Sequence, residues 1–160
     1  MAFTVEADFD RTFEVNCPFD VVFDLLADVP RSASHYPTLE HLEPLGENEY
    51  RWELQKIGIQ QYYIQTIYGN RYKSDRESGR ITWEPIEDVG NAIIEGYWEI
   101  TPIDDHRTRV HFHTHGKIKL PLPSLLKLIL TPLILAEFSN QVDKYIENLK
   151  KTFTELCEEE

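Results

Sequence analysis

A long amphipathic helix is encoded near the C-terminus of this chain, and it constrains the fold more than any other feature. Its apolar residues recur at intervals of three, four and one, which is the spacing of a single helix face. They are Phe138, Val142, Tyr145, Ile146, Leu149, Phe153 and Leu156. Charged residues such as Asp143, Lys144 and Glu147 cover the opposite face. A helix of this kind has to bury its apolar face against another element of the same domain.

The rest of the chain supplies a β-sheet for that helix. Apolar and polar residues alternate over residues 3–15 and, with turn signals between them, over much of residues 39–119, as in half-buried strands. Two short helical patterns lie between, one after Pro18 and one over Arg31–Tyr36. Hairpin-length connections favour antiparallel pairing. We therefore predict an α+β domain spanning residues 1–160, with a curved antiparallel sheet of about seven strands around the C-terminal helix.

The charge of the chain restricts its partners. Among 160 residues, 28 are Asp or Glu and 16 are Lys or Arg, which gives a net charge of −12. Nucleic-acid binding depends on neutralising phosphates with Lys and Arg. The acidic balance therefore predicts no nucleic-acid partner, and it favours solubility.

Two cysteines, Cys17 and Cys157, lie at opposite ends of the chain and show no metal-binding or redox spacing. The N-terminal residues carry early acids and no apolar core of signal-peptide length. We expect a cytoplasmic protein with two reduced thiols, and a Cys17–Cys157 disulfide is the less favoured alternative in that compartment.

Four segments carry a resemblance to a known family. They are Val15–Ala27, Gly96–Pro102, Thr108–Val110, and Leu120–Pro123 followed by the helix through Tyr145, Leu149 and Lys150. On these segments the chain resembles the START/SRPBCC superfamily, which includes the birch-pollen-allergen fold, and within it the polyketide cyclase/dehydrase-like or coenzyme Q-binding branch. The resemblance spans about Phe3–Phe153.

This resemblance implies a helix-grip fold with a hydrophobic small molecule held between sheet and helix. The superfamily contains lipid carriers, aromatase/cyclases and protein-interaction modules, and it has no shared catalytic motif that could be transferred to this sequence. Fold analogy alone supports only the binding of an apolar ligand. We expect no cofactor, no metal and no assigned catalytic residue.

The inner face of the predicted sheet should line the cavity. Trp52, Trp83 and Trp98 each fall on the apolar phase of a strand. Over Gln60–Tyr72 the phase is ambiguous, and we favour Tyr62, Ile64, Thr66 and Tyr68 inward, with Thr66, Tyr68 and Asn70 as polar groups that orient a ligand. The predicted lining residues are Phe13, Trp52, Tyr62, Thr66, Tyr68, Trp83, Trp98, Phe112, Phe138 and Val142.

A nearly continuous apolar stretch, Leu120–Phe138, precedes the long helix. Prolines and the central Lys127 argue against a membrane-spanning helix. We favour a lid over the cavity, and a transient contact with a membrane is the second interpretation. The predicted mouth and lid residues are His35, Tyr36, Leu125, Leu126 and Ile129.

Three histidines, His111, His113 and His115, alternate along the last predicted strand and share one face. Such a ladder could hold zinc or copper. However, Val110 and Phe112 are apolar and should occupy the inner face, which places the histidines on the outer face. We therefore expect an exposed histidine ladder with no metal. No carboxylate partner for it is identifiable from the sequence.

Three functions follow from these features. The first is a non-catalytic carrier or sequestering protein for a lipid, quinone or polyketide-like molecule. The second is a cyclase or dehydratase acting on a polyketide-like substrate, for which His35 and Tyr68 are the residues to test. The third is a protein-interaction module that uses the surface of residues 120–135.

Overall fold

The computed structural model describes residues 2–158. This part of the chain forms nine strands and three α-helices, which are joined by short connections. Their bounds are β1 Phe3–Val15, α1 Phe19–Ala27, α2 Val29–Ala33, β2 Leu39–Gly46, β3 Glu49–Leu54, β4 Ile57–Ile59, β5 Tyr62–Ile64, β6 Ile67–Asp75, β7 Arg80–Gly90, β8 Ala92–Pro102, β9 Thr108–Leu120 and α3 Lys127–Cys157.

Seven of the strands form one antiparallel sheet in the order β1-β9-β8-β7-β6-β3-β2. The first and last strands of the chain pair along their whole length, from Phe3 opposite Leu120 to Val15 opposite Thr108. The helices α1 and α2 carry the chain from β1 to β2, so these two strands become the opposite edges of the sheet. This architecture confirms the predicted helix-grip fold.

The long helix α3 packs against the sheet with the apolar face that the sequence predicts. Its buried residues are Leu130, Ile134, Phe138, Gln141, Val142, Tyr145, Ile146, Leu149 and Phe153. It begins at Lys127, about three turns before the predicted face, and continues through Pro132. Proline there cannot donate a backbone hydrogen bond to the carbonyl of Leu128.

By length and composition the helical stretch Ser124–Cys157 would also suit a membrane span, with a mean hydropathy of 1.3 over its most apolar window. Core helices of soluble domains pass the same test. Because the buried face of α3 packs on the sheet, we describe it as the core helix of this domain.

The strand predicted over Gln60–Tyr72 is divided in the structure. Gln60 has a backbone φ of 60° and turns the chain between β4 and β5, which pair only with each other. The main sheet resumes at Ile67 with β6. Tyr62 therefore belongs to a small separate hairpin, and its prediction as a residue of the main sheet face is wrong.

A disulfide joins Cys17 to Cys157, with their Cα atoms 5.4 Å apart. The expectation of two reduced thiols is therefore wrong. Cys17 follows directly after β1, and the end of α3 packs beside it, so the fold brings together two residues separated by 140 positions. Disulfides persist mainly in oxidising compartments. Reduced thiols therefore no longer support a cytoplasmic location, which stays a prediction.

Candidate functional site

An internal cavity of about 100 Å³ lies between the concave face of the sheet, α2 and α3. Strands alternate their side chains between two faces, and alternate residues along parts of β3, β6, β8 and β9 line this space. Eight of the predicted lining residues lie on the cavity wall: Trp52, Thr66, Tyr68, Trp83, Trp98, Phe112, Phe138 and Val142. The polar residue Asn70, also predicted to face inward, lies on the wall as well.

Two predicted lining residues lie elsewhere. Phe13 is buried in the core cluster of α1 and the C-terminal half of α3, away from the cavity wall. Tyr62 packs beside the neighbouring cluster from the β4–β5 hairpin. The alternation of β1 does bring that strand to the cavity, but through Ala7 and Phe9 near its middle.

Aromatic residues are prominent on the cavity wall, where they are ten of the 23 lining residues. All three tryptophans of the chain lie on it. Trp52 stacks on Tyr68 with ring centroids 5.6 Å apart, and Trp83 meets Trp98 edge to face at 6.2 Å. These rings make this part of the cavity surface apolar.

The position of Trp83 depends on a glycine. A Cβ at Gly96 would lie 2.8 Å from the Trp83 ring and 2.2 Å from the carbonyl oxygen of His113. Gly96 therefore lets the indole ring lie directly across β8. This gives a physical role to the glycine in the segment that carries the family resemblance.

Several polar groups of the cavity region satisfy one another. The side-chain oxygens of Ser32 and Tyr145 are 2.7 Å apart, which joins α2 to α3. Tyr36 donates to Gln141 Oε1 at 2.9 Å, and Trp52 Nε1 donates to the hydroxyl of Tyr72 at 2.9 Å. These hydrogen bonds fix the rings that form the wall.

Tyr68 differs from these tyrosines. Its side chain is buried on the cavity wall, yet its hydroxyl has no hydrogen-bond partner among residues 2–158. Thr66, two residues earlier, also lines the cavity without a side-chain partner in the described part of the chain. Asn70 is different, because in the amide orientation that satisfies both of its polar atoms the nitrogen donates to the carbonyl oxygens of Gly69 and Ile94. Tyr68, Thr66 and Thr114 are therefore the wall residues whose side-chain hydroxyls have no partner in the described part of the chain.

The wall carries no Asp, Glu, Lys, Arg or His among the described residues. Its only titratable groups are tyrosines, and burial raises the pKa of each. The pKa of Tyr145 rises to about 12, and burial raises the pKa of Tyr36, Tyr68 and Tyr72 as well. All four phenols are protonated at neutral pH, so the cavity is uncharged.

The predicted mouth and lid residues separate into different places. Tyr36 lies on the cavity wall. His35 instead ties α2 to α3, since its Nδ1 lies 2.9 Å from the carbonyl oxygen of Arg31 and its Nε2 lies 2.8 Å from Thr152 Oγ1. His35 is thus a bridging residue outside the cavity, which argues against its candidacy as an acid–base group.

Leu125, Leu126 and Ile129 do not line the cavity. Leu125 and Ile129 are exposed, and Leu126 packs partly against the core below. The predicted lid is thus a surface turn and the first turns of α3. The residue of α3 nearest to this segment that lines the cavity is Phe138.

Sequence reasoning missed part of the wall. The sequence predicts Tyr145 on the apolar face of the helix without a role at the cavity, and it does not single out Tyr72 or Ser32, although all three line the cavity. A buried tyrosine on a helix face that points toward a sheet is a usable signal, because its hydroxyl needs a partner. Ser32 has no such signal in the sequence.

The histidine ladder lies on the outer face of the sheet, as its phase predicts. Each imidazole has a carboxylate partner on β1: His111 Nε2 lies 2.9 Å from Asp10, His113 Nε2 lies 3.0 Å from Asp8, and His115 Nε2 lies 2.7 Å from Glu6. The hydrogen bond from His115 lowers the pKa of Glu6.

These carboxylate partners, which are not identifiable from the sequence, come from the pairing of β1 with β9. Asp8 and Asp10 stand directly opposite His115 and His113 in the β1–β9 register, and each histidine bonds the carboxylate diagonal to it. No cluster of three or more His, Cys, Asp or Glu residues suited to a metal ion occurs in residues 2–158.

The sequence profile of a family described as "Polyketide cyclase / dehydrase and lipid transport" matches residues 6–154. Among the curated proteins, none matches this chain. The profile covers all of the elements that surround the cavity, from β1 to α3.

Solved structures share the fold at low sequence identity. The Zhui aromatase/cyclase from Streptomyces sp. R1128 has a TM-score of 0.62 and 20% identity, over 96% of this chain and 94% of that one. A START superfamily protein from Mycobacterium smegmatis has a TM-score of 0.65 and 15% identity, over 93% and 98%. A norcoclaurine synthase point mutant from Thalictrum flavum has a TM-score of 0.62 and 14% identity, over 96% and 97%. At these identities the likeness shows the fold alone.

Proposed function

Because the chain belongs to the polyketide cyclase/dehydrase and lipid transport family, we propose that it binds an uncharged hydrophobic small molecule in its internal cavity. The role is that of a carrier or sequestering protein for a lipid, quinone or polyketide-like molecule. The observation that carries this proposal is an aromatic wall on which residues 2–158 place no charged side chain and leave the hydroxyl of Tyr68 without a partner.

The electrostatics of the wall support an uncharged ligand. Moving an ionised group from water into an apolar site is costly unless an opposite charge receives it. The described wall offers only neutral hydroxyl, amide and indole groups. A ligand with a ring system and one carbonyl or ether oxygen fits this chemistry, because Tyr68 can donate one hydrogen bond to that oxygen.

The second candidate is a cyclase or dehydratase, and one observation favours it. A protonated phenol with no partner can donate a hydrogen bond to a substrate carbonyl and so polarise it. Tyr68 is the residue that would do this. The structural similarity to an aromatase/cyclase shows the fold and does not by itself assign this reaction.

Tryptophan fluorescence gives a direct test, because every tryptophan in the chain lies on the cavity wall. We expect a saturable change in emission when a matching quinone, lipid or aromatic polyketide is added. Organic extraction and native mass spectrometry of the freshly purified protein should show the same class of compound bound. A clean apo mass together with no response to the whole panel would contradict the carrier function.

Tyr68→Phe keeps the ring stacked on Trp52 and removes only the hydroxyl. We expect it to weaken binding of an oxygen-bearing ligand by about tenfold, the effect of roughly one hydrogen bond of 1–1.5 kcal/mol. Tyr63→Phe is the matched control, since Tyr63 is 76% exposed. Conversion of a polyketide-like substrate by the wild type, lost in Tyr68→Phe, would favour the enzymatic candidate.

A further inference from the structure

The first turns of α3 have a second apolar face that points away from the domain. Leu125, just before the helix, is followed by Leu128, Ile129, Pro132 and Leu133 at steps of three, one, three and one, so all lie on one side. We call these five residues the apolar patch. Each is exposed, and Leu128 is 89% exposed. The side chains of Leu130 and Ile134 bury the opposite side of the same turns.

This patch differs from the remainder of the helix. Further along α3 the outward positions carry Asp143, Lys144 and Glu147, which is the usual pattern for a helix on the surface of a soluble domain. A contiguous exposed apolar patch marks a contact with another phase or molecule. The charges around the patch indicate what kind of surface covers it.

The charge around the patch favours a negatively charged surface. Residues 116–136 contain Lys117, Lys119 and Lys127 and no Asp or Glu, in a chain whose net charge is −12. A second pocket, between the β4–β5 hairpin and the segment that leads to the patch, is lined by Lys56, Tyr63, Pro121 and Leu122 among others, and it adds a fourth lysine to this region. Lysines at the rim of an apolar surface can place their ammonium groups at lipid headgroups while their methylene stems lie along the apolar residues.

A second copy of the chain fits this surface less well. A two-fold contact through the patch would bring the rim lysines of both copies toward one another, and like charges in a desolvated contact are unfavourable. The exposed ring of Tyr63 also suits a headgroup region, where tyrosine and tryptophan are enriched.

We propose that the apolar patch docks this protein on an anionic lipid bilayer, with Lys56, Lys119 and Lys127 facing the headgroups. This proposal rests on the proposed carrier function, because a poorly soluble ligand has to be collected from or delivered to a lipid phase. The same helix then serves both tasks: its first turns contact the bilayer, and Phe138, Val142 and Tyr145 further along line the cavity.

Vesicle co-sedimentation tests the proposal. The probes are vesicles of pure phosphatidylcholine and vesicles of phosphatidylcholine mixed with phosphatidylglycerol. We expect the full chain to sediment with the mixed vesicles and to dissociate as salt is raised. Leu128→Asp should lower the partition coefficient roughly tenfold or more, because it forces a carboxylate into the contact. Lys127→Glu should lower it several-fold by reversing one charge at the headgroups.

Leu156→Asp is the matched control. Leu156 is a 48% exposed leucine of the same helix at its other end, and we expect this variant to bind vesicles like the wild type. Circular dichroism of all variants checks that the fold is kept. The proposal would be overturned if the wild type did not sediment with the mixed vesicles, or if Leu128→Asp sedimented equally well. It would also be overturned if the wild type bound no vesicles and instead formed a dimer that the Leu128→Asp substitution dissociates.

Ligand binding in vesicle-free solution separates this proposal from the carrier function. Leu128→Asp should keep the tryptophan response to a matching ligand, because residue 128 does not line the cavity. A wild type that binds vesicles but no ligand would overturn the carrier function and leave a lipid-surface protein. A wild type that binds ligand but no vesicles would overturn only the docking surface.

Discussion

Tyr145 and Ser32 meet through a 2.7 Å hydrogen bond between their side-chain oxygens, and both residues are buried. Tyr145 comes from α3 and Ser32 from α2. Both also line the cavity. The bond therefore fixes the distance between two helices at the point where they enclose the candidate ligand site.

Removing the Tyr145 hydroxyl should destabilise the fold. In Tyr145→Phe the hydroxyl of Ser32 loses its partner inside the protein, and a buried unsatisfied polar group costs about 1–3 kcal/mol. We expect the free energy of unfolding, measured by urea denaturation, to fall by that amount. The double variant Tyr145→Phe with Ser32→Ala should lose less than the sum of the two single variants, and strict additivity would argue against the bond.

Stability should fall in alkaline solution. Burial raises the pKa of Tyr145 to about 12, and it raises the pKa of Tyr36, Tyr68 and Tyr72 as well. In the unfolded chain these phenols ionise near pH 10, so above that pH the unfolded state loses protons that the folded state keeps. The stabilisation is complete below about pH 10 and decreases as the pH rises toward the folded pKa values.

Equilibrium denaturation at a series of alkaline pH values measures this effect. Tyrosinate absorbance should increase together with unfolding. Tyr145→Phe, which removes one of the four buried phenols, should show a weaker pH dependence than the wild type. An unfolding free energy that stays constant from neutral pH to about pH 11, one unit above the reference tyrosine pKa, would contradict the prediction.

Loss of the disulfide should weaken the fold substantially. The Cys17–Cys157 link closes a loop of 140 positions, and removing a native disulfide of this kind typically costs about 2–5 kcal/mol. We expect Cys157→Ser to lower the free energy of unfolding in that range. Dithiothreitol should destabilise the wild type to a similar extent and leave Cys157→Ser unchanged. A wild type that is indifferent to the reductant would show that the bond does not form in solution.

Gly96→Ala should disturb both the sheet and the cavity. The added methyl group would lie 2.2 Å from the His113 carbonyl oxygen and 2.8 Å from the Trp83 ring, and overpacking of this kind costs about 1–3 kcal/mol. We expect a lower midpoint of urea unfolding and a shifted tryptophan emission. Gly58→Ala is the control, since its nearest contact is an ordinary 3.7 Å to the Tyr63 ring.

The wall of the cavity was largely predictable because the period of a strand decides which side chains face inward. Trp52, Trp98 and Phe112 sit on regular stretches of β3, β8 and β9, and their phase is clear in the sequence. The prediction failed for Tyr62, where the turn at Gln60 begins a separate hairpin. A single glutamine in a left-handed conformation leaves no signal comparable to a glycine.

Contacts between distant segments were not predictable from one sequence. The hydrogen bonds that Asp10, Asp8 and Glu6 accept from the histidine ladder follow from the register of β1 against β9, which periodicity alone does not set. The disulfide also depends on how α3 is placed along the sheet. The start of α3 was misplaced because Pro132, normally a signal for a helix end, lies inside the helix.

The disulfide also restricts which end of α3 can separate from the sheet. Because Cys157 anchors the last turn of α3 to the end of β1, that end of the helix cannot lift from the sheet while the bond is intact. The opposite end has no such link, and Pro132 interrupts its backbone hydrogen bonding. The disulfide therefore restrains the C-terminal end of α3 against the sheet, and the end beside the apolar patch has no such covalent restraint.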